Sequence, residues 1–163
     1  MQIRAATDAD VPRLAEIYNY YVVHTPATFD IEPYTVEQRR EWFAHYAPAG
    51  RHRVIVAEDA GQVVGAAWSS QFRPKRAYDT TVETSVYCAP DALGRGVGTL
   101  LYEALFRAIK DEPLHRAVAG ITQPNEASVR LHERFGFRQV AVLSEVGRKF
   151  ERYWDVAWYE KEM

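Results

Sequence analysis

The spacing of apolar residues along the chain predicts a succession of helices and strands. A helix is expected to follow the capping sequence Thr7-Asp8-Ala9-Asp10 and to end near His24, because Pro26 comes next. Its apolar positions recur at helical spacing: Val11, Leu14, Ile17, Tyr18 and Tyr21.

Capping residues, β-branched runs and turn signals predict the remaining elements. Further helices are expected from Thr35 through about Tyr46, over 97–110, and over 125–135 with Gly136 as the terminating residue. Strands are predicted over 2–6, 53–58, 62–69, 80–88, 116–122, 137–143 and 153–159, and Asp59-Ala60-Gly61 is expected to turn the chain within a hairpin.

The resulting order is β-α-α-β-β-β-α-β-α-β-β. Consecutive strands precede a βαβα segment, which argues against a doubly wound sheet and favours an α/β (α+β mixed) fold, a mixed sheet with helices on both faces. No repeat, linker or low-complexity segment interrupts the 163 residues. We therefore expect a single domain over 1–163 with room for a sizeable core.

Composition and charge restrict the class of protein. The net charge of −2 gives no electrostatic reason to expect a nucleic acid or membrane partner. Apolar runs are far shorter than the roughly 20 residues of a membrane span, and the first residues lack the apolar core of a signal peptide. The single cysteine excludes an intrachain disulfide. A cytoplasmic location is expected, and no grouping of ligands has the spacing of a metal site.

A glycine-rich loop, Gly94-Arg95-Gly96-Val97-Gly98-Thr99, lies between a predicted strand and a predicted helix. Free N–H groups at a helix start, together with the helix dipole, favour a bound phosphate or pyrophosphate. The chain has no Gly-Lys pair for a P-loop, and the third glycine comes one residue too early for a dinucleotide fingerprint. A plain glycine turn is the alternative interpretation.

This loop resembles the acetyl-CoA loop of the GNAT N-acetyltransferases, Gln/Arg-x-x-Gly-x-Gly/Ala. Gly96 and Gly98 match the pattern, whereas Leu93 stands at the Gln/Arg position. The segment from Asn125 to Phe137 resembles the family's C-terminal signature, with His132 where most members have tyrosine. The resemblance implies a mostly antiparallel sheet with a central splay, and acetyl-CoA as co-substrate.

Four further segments resemble the phosphinothricin acetyltransferase group, which includes enzymes acting on methionine sulfone and methionine sulfoximine. They are Phe72-Arg73-Pro74, Thr81-Val82-Glu83-x-Ser85-Val86-Tyr87, Leu131-His132 and Gly147-x-Lys149-Phe150. The resemblance implies a small-molecule amine as acceptor and a homodimer, the common state in this group. It assigns no role to Lys149 or Phe150.

Acetyl transfer to an amine needs a base, because an ammonium has no lone pair with which to attack. Glu83, in an otherwise apolar strand, is the candidate base; an exposed carboxylate or a structural ion pair is the alternative. His132 is the candidate proton donor to the departing thiolate, with a structural histidine as the alternative.

The resemblance also implies contacts for the two substrates. Val86, Tyr87 and Cys88 would bind the pantetheine arm through their backbone, and Asn125 would contact coenzyme A or simply cap a helix. A covalent role for Cys88 is disfavoured, since no paired base accompanies it. Arg73 is the candidate ligand for an acceptor carboxylate, unless it is a solvated loop residue. The acceptor pocket would comprise Phe72, Arg73, Pro74, Val82, Glu83 and Thr84.

The sequence therefore predicts an acetyl-CoA-dependent N-acetyltransferase acting on the α-amine of a small amino acid analogue. One alternative keeps the chemistry but changes the acceptor to a polyamine, an antibiotic or a protein N-terminus. A second alternative is a non-catalytic acyl-CoA-binding module, in which Glu83 has no role.

Overall fold

The strands and helices occur in the predicted order. A computed structural model describes residues 1–163. The strands are β1 (Gln2–Ala5), β2 (Val54–Asp59), β3 (Gln62–Gln71), β4 (Thr81–Cys88), β5 (Arg116–Thr122), β6 (Arg138–Lys149) and β7 (Arg152–Glu162). The helices are α1 (Val11–His24), α2 (Val36–Phe43), α3 (Val97–Ile109) and α4 (Glu126–Arg134).

All seven strands form one sheet in the order β1-β2-β3-β4-β5-β7-β6. Every neighbouring pair is antiparallel except β4 and β5, which are parallel. These two strands pair only where Thr81–Glu83 faces Arg116–Val118, and beyond that point they part. The expectation of a mostly antiparallel sheet with a central splay is confirmed.

Helices cover both faces of the sheet, as predicted. On one face, Trp68 of β3 contacts Tyr18 of α1 and Trp42 of α2. On the other face, a Cβ at Gly65 would lie 3.2 Å from the Leu101 side chain of α3. Tyr102 of α3 has no exposed surface and lies in the larger of two buried apolar clusters. None of the helices combines the length and the apolar character needed to span a bilayer.

Most boundaries agree with the prediction to within two residues, and the larger differences are at α2 and at the β6–β7 hairpin. Helix α2 ends at Phe43, but the N–H of Tyr46 donates to the Phe43 carbonyl, so a tighter turn keeps the apolar positions on one side. The β6–β7 hairpin is much longer than predicted. Its turn uses Phe150 and Glu151 at φ 53° and 59°, a left-handed conformation that neither residue type signals in a sequence.

Candidate active site

The splay between β4 and β5 opens into a cavity of about 510 Å³. Residues 84–88 of β4, residues 119–122 of β5, the glycine loop and one side of α4 line it. Eleven of the predicted site residues meet there: Thr84, Val86, Tyr87, Cys88, Gly94, Gly96, Val97, Gly98, Thr99, Asn125 and His132. The geometry thus brings the glycine loop and the end of β4 to one site.

The backbone of β4 faces the cavity at alternate residues. The Ala89 N–H donates to the Val64 carbonyl at 2.8 Å. Because alternate residues of an antiparallel strand direct their backbone groups to the same side, Thr84, Val86 and Cys88 direct theirs away from β3 and toward the splay. The Cys88 carbonyl accepts a hydrogen bond from the Tyr21 hydroxyl at 2.6 Å. The Val86 N–H therefore points to the gap that β5 has left.

The glycine loop presents a row of free N–H groups. None of the backbone N–H groups of residues 94–98 donates to an acceptor within the chain. Gly94 and Gly96 have φ of 75° and 77°, a conformation that favours glycine. A Cβ at Gly98 would lie 3.2 Å from a methyl group of Leu131, so α3 packs closely on α4. Free N–H groups at a helix N-terminus form a site for phosphate groups.

The side chain of Arg95 does not belong to this row. It forms an ion pair with Asp59 at the end of β2, and it does not line the cavity. Leu93 is largely exposed and lines the cavity. Asn125 caps α4, since its side-chain oxygen accepts from the Ser128 N–H at 3.2 Å. The same residue also lines the cavity.

Glu83 lies at the last position where β4 pairs with β5, opposite Val118. It is half-buried, and its carboxylate makes no hydrogen bond or ion pair within the chain. Burial raises the pKa of Glu83, and the positive charge of Arg73 opposes that shift. Strand alternation places Glu83 on the same face as Tyr87, opposite to the face of Thr84. A carboxylate without a partner and with a raised pKa is suited to accept a proton.

The predicted acceptor residues divide into two groups. Arg73 and Pro74 are exposed in the loop after β3, and the Arg73 guanidinium lies 4.5 Å from the centroid of the Phe72 ring. Phe72 is half-buried, and it packs edge-on against Trp158. Val82, by contrast, has no exposed surface, and its side chain packs in the smaller apolar cluster with Ile109, Ala117 and Phe137. The geometry brings Arg73 close to Glu83 and places the Val82 side chain in the core.

His132 is 3% exposed and held at both ring nitrogens. Its Nδ1 lies 2.7 Å from the Ser128 carbonyl, and its Nε2 lies 2.9 Å from the Tyr102 hydroxyl. A carbonyl oxygen only accepts, so Nδ1 carries the proton and Nε2 of the neutral ring accepts from Tyr102. Burial lowers the pKa of His132, and the bond to Ser128 opposes the shift. The imidazole is therefore neutral at physiological pH.

Sequence reasoning missed two buried polar residues. Tyr102 occupies an ordinary apolar position of α3, so nothing marked it as the partner of His132. Arg39 is 3% exposed, and its Nε and Nη2 atoms have no hydrogen-bond partner. Its guanidinium carbon lies 3.5 Å from the centroid of the Trp42 ring, on the Glu83 face of the sheet. The spacing of Arg39 and Trp42 on one side of α2 was the available signal.

Cys88 and possible metal ligands are the remaining candidates. Burial raises the pKa of Cys88 to about 11, so the residue is a thiol at neutral pH. No group of three or more His, Cys, Asp and Glu side chains is placed to hold a metal ion.

Comparison with known proteins identifies the architecture. Residues 14–137 match the model of the acetyltransferase (GNAT) family. The chain is 55% identical to a phosphinothricin N-acetyltransferase of Streptomyces coelicolor, covering all of this chain and 96% of the relative. It is 36% identical to an L-methionine sulfoximine/L-methionine sulfone acetyltransferase of Pseudomonas aeruginosa, covering 97% and 92% of the two chains.

A solved structure has the same fold. The crystal structure of a GNAT phosphinothricin acetyltransferase from Sinorhizobium meliloti in complex with acetyl-CoA superimposes with a TM-score of 0.94 at 29% identity, covering 99% of this chain and 88% of the other. The splayed sheet and the free N–H groups of the glycine loop agree with these relationships. The chain is an acetyltransferase and belongs to the GNAT family.

Proposed function

We propose that this enzyme transfers an acetyl group from acetyl-CoA to the α-amine of a small amino acid analogue, of the phosphinothricin, methionine sulfone or methionine sulfoximine type. The observation that carries the proposal is the unpartnered Glu83 carboxylate at the point where β4 and β5 part. It lies next to a cavity whose other end presents free N–H groups. The names of the relatives support the acceptor class.

In this proposal acetyl-CoA occupies the cavity between β4 and β5. Residues 94–99 bind the pyrophosphate through the free N–H groups of residues 94–98, Asn125 contacts coenzyme A, and the pantetheine arm pairs with the backbone of Val86–Cys88. The Val86 N–H donates to the thioester oxygen. That oxygen gains negative charge as the amine attacks, so a fixed donor there stabilises the transition state more than the ground state.

Glu83 removes a proton from the acceptor ammonium, directly or through one water. The free amine then attacks the thioester carbonyl, so a C–N bond forms and the C–S bond breaks, with the electron pair leaving on the thiolate. The nitrogen releases a second proton as the amide forms, and the thiolate takes one up. Because burial raises the pKa of Glu83, the carboxylate is a stronger base than an exposed glutamate. Holding both substrates in contact makes a covalent enzyme intermediate unnecessary.

The proposed proton donor to the thiolate is His132, which lines the cavity. The neutral ring keeps a proton on Nδ1 against the Ser128 carbonyl, and its Nε2 accepts from Tyr102, which has no exposed surface. For donation, Nε2 first takes up a proton released in the cavity as the amide forms and then passes it to the thiolate. If His132 were purely structural, its substitution would lower the stability of the protein and leave kcat of the folded enzyme unchanged.

Arg73 is the proposed ligand of the acceptor carboxylate. It is exposed and has no carboxylate partner in the chain, and its positive charge acts to lower the pKa of Glu83. A guanidinium binds a carboxylate in two parallel hydrogen bonds, which fixes the amine relative to the base. Phe72, stacked beneath Arg73, supplies an apolar wall of the same pocket.

A thiol-release assay with acetyl-CoA tests the acceptor class. The panel comprises phosphinothricin, methionine sulfone, methionine sulfoximine, common amino acids, spermidine and a short peptide. Turnover confined to the amino acid analogues is expected. Turnover on spermidine or peptide alone would overturn the acceptor class but keep the chemistry. Tight acetyl-CoA binding with no turnover on any acceptor would favour the binding-module alternative.

We further propose that the protein is a homodimer and lies in the cytoplasm. Large apolar side chains are exposed along β6 and at the tip of its hairpin, and β6 is an edge strand with an unpaired side. They are Val140, Val142, Leu143, Val146, Phe150 and Tyr153. This edge is the proposed homodimer surface. A free, buried cysteine is compatible with the reducing cytoplasm, the proposed compartment.

A further inference from the structure

The segment Gly147-x-Lys149-Phe150, at the end of β6, has no part in the chemistry described above. Lys149 is 6% exposed and forms no ion pair. Its ammonium donates to the Thr28 carbonyl at 2.8 Å and lies 3.5 Å from the Tyr21 carbonyl in the last turn of α1. Burying an ammonium costs free energy, and the hydrogen bonds to these carbonyls offset that cost. The same bonds join β6 to a distant part of the chain.

Gly147 makes a second contact with the same part of the chain. A Cβ at Gly147 would lie 2.1 Å from Cε2 of Phe29, so the aromatic ring rests directly on the glycine backbone. No larger residue fits without displacing Phe29. Two positions of one strand therefore contact residues 25–30, the first part of the connection (25–35) between α1 and α2.

The other side of this connection borders the cavity. Ala27 of the connection and Tyr21 of α1 both line the cavity. The Tyr87 hydroxyl donates to the Ala27 carbonyl at 3.4 Å, and the Tyr21 hydroxyl donates to the Cys88 carbonyl at 2.6 Å. The connection thus lies between β6 and the splayed end of β4, next to the backbone groups that face the cavity.

We infer that Gly147 and Lys149 form a clasp that positions residues 25–30 as the cavity wall beside Val86–Cys88. The inference rests on the proposed function, which places the pantetheine arm and acetyl group there. Lys149 is a positioning residue: it contacts neither substrate, and its effect is transmitted through the Thr28 and Tyr21 carbonyls. The clasp acts on the acetyl end of the co-substrate and leaves the pyrophosphate loop untouched.

Equilibrium binding separates these two ends without any turnover. Acetyl-CoA probes the whole cavity, and 3′-phosphoadenosine diphosphate probes the glycine loop alone. Lys149→Met is expected to raise the dissociation constant of acetyl-CoA at least tenfold and to leave that of the nucleotide within twofold of wild type. Lys149→Arg keeps the donors and is expected to restore most of the affinity. Lys110→Met, at an exposed lysine beyond α3, is the matched control.

Gly147→Ala provides an independent route, since its methyl group displaces Phe29 without removing any donor. It is expected to show the same selective loss, and it keeps the test available if Lys149→Met does not fold. Equal weakening of both ligands would mean a general loosening and would contradict the clasp, as would unchanged binding of both. Wild-type protein that fails to bind acetyl-CoA would overturn the proposed function itself.

Discussion

At the scale of residues, the site depends on groups that lack partners. Glu83 and Arg73 make no ion pair with other residues of the chain, and the N–H groups of the glycine loop have no acceptor. Other charges of the chain are paired: Arg4, for example, binds Asp10 through two hydrogen bonds of 2.8 Å. Unsatisfied buried groups are costly in a folded protein, so the free N–H groups along the cavity and the half-buried Glu83 carboxylate beside it indicate ligands that complete them.

Replacing Arg73 tests the acceptor carboxylate. Arg73→Gln removes a charge-assisted pair worth about 1.5–3 kcal/mol, so KM for an amino acid acceptor is expected to rise about 10- to 100-fold. KM for acetyl-CoA should stay the same. Steady-state kinetics with the acceptor and with its methyl ester measure the effect, and Arg76→Gln in the same loop is the control. An equal loss with the ester would show that Arg73 does not bind the carboxylate.

Candidate residues could be selected from the sequence where residue type and position both carry information. Glu83 is a carboxylate in an apolar strand, and Arg73 belongs to a recognisable segment; the roles of both stay predictions. Tyr102 was not predictable, because an aromatic residue at a buried helical position is ordinary core packing until His132 is seen 2.9 Å away. Val82 shows the converse: it belongs to a matching segment, yet strand alternation buries its side chain.

At the scale of elements, the strand–loop–helix unit from β4 to α3 forms most of the cavity. Gly94 and Gly96 let the chain reverse in left-handed conformations, and Gly98 allows α3 to approach α4. This geometry turns consecutive N–H groups to one side. In the proposed function the loop binds coenzyme A through its backbone, so the architecture does not depend on the residue type at the Gln/Arg position, where Leu93 stands.

Gly96→Ala tests the conformation of this loop. The left-handed φ costs a non-glycine residue about 1–2 kcal/mol, although the space around a Cβ is open. We expect a modest loss of thermal stability and a several-fold increase in KM for acetyl-CoA. Gly50→Ala has a similar φ of +87° and equally open surroundings, far from the cavity. It should lose stability without a change in KM, and a KM shift in both variants would contradict the role of the loop.

The β6–β7 hairpin marks the limit of element prediction. Its turn lies at Phe150 and Glu151, residues without turn propensity, and register shifts interrupt the pairing after Gln139 and Leu143. The hydropathy pattern loses its period at such irregularities, so the sequence predicted two short strands. The contact of Gly147 with Phe29 joins residues more than a hundred positions apart, which no local pattern can indicate.

At the scale of the whole molecule, the homodimer proposal rests on the exposed apolar residues of the β6 edge. Val142→Glu together with Val146→Glu is expected to convert a dimer to a monomer, because two charges would be buried in the interface. Size-exclusion chromatography with light scattering measures the mass. Ile31→Glu, at another exposed apolar residue, is the control and should leave the mass unchanged. A wild-type monomer would overturn the homodimer proposal.

The overall architecture was predictable because periodicity, capping residues and turn signals located all eleven elements, and the order of strands excludes a doubly wound sheet. The point of the splay was not predictable from periodicity, since β4 continues as an ordinary strand past the place where β5 leaves it. The central claim is that Glu83, placed at this point, is the base for acetyl transfer.

The pH dependence of kcat/KM for wild type and Glu83→Gln tests this claim most directly. In the wild type, kcat/KM should rise with pH as the Glu83 carboxyl ionises, with a midpoint above the usual 4.5 because burial raises its pKa. Glu83→Gln should lower kcat/KM at least about 100-fold while its affinity for acetyl-CoA stays the same. Its remaining kcat/KM should rise with pH only as the fraction of unprotonated acceptor amine rises. A variant within threefold of wild type at neutral pH would contradict the account.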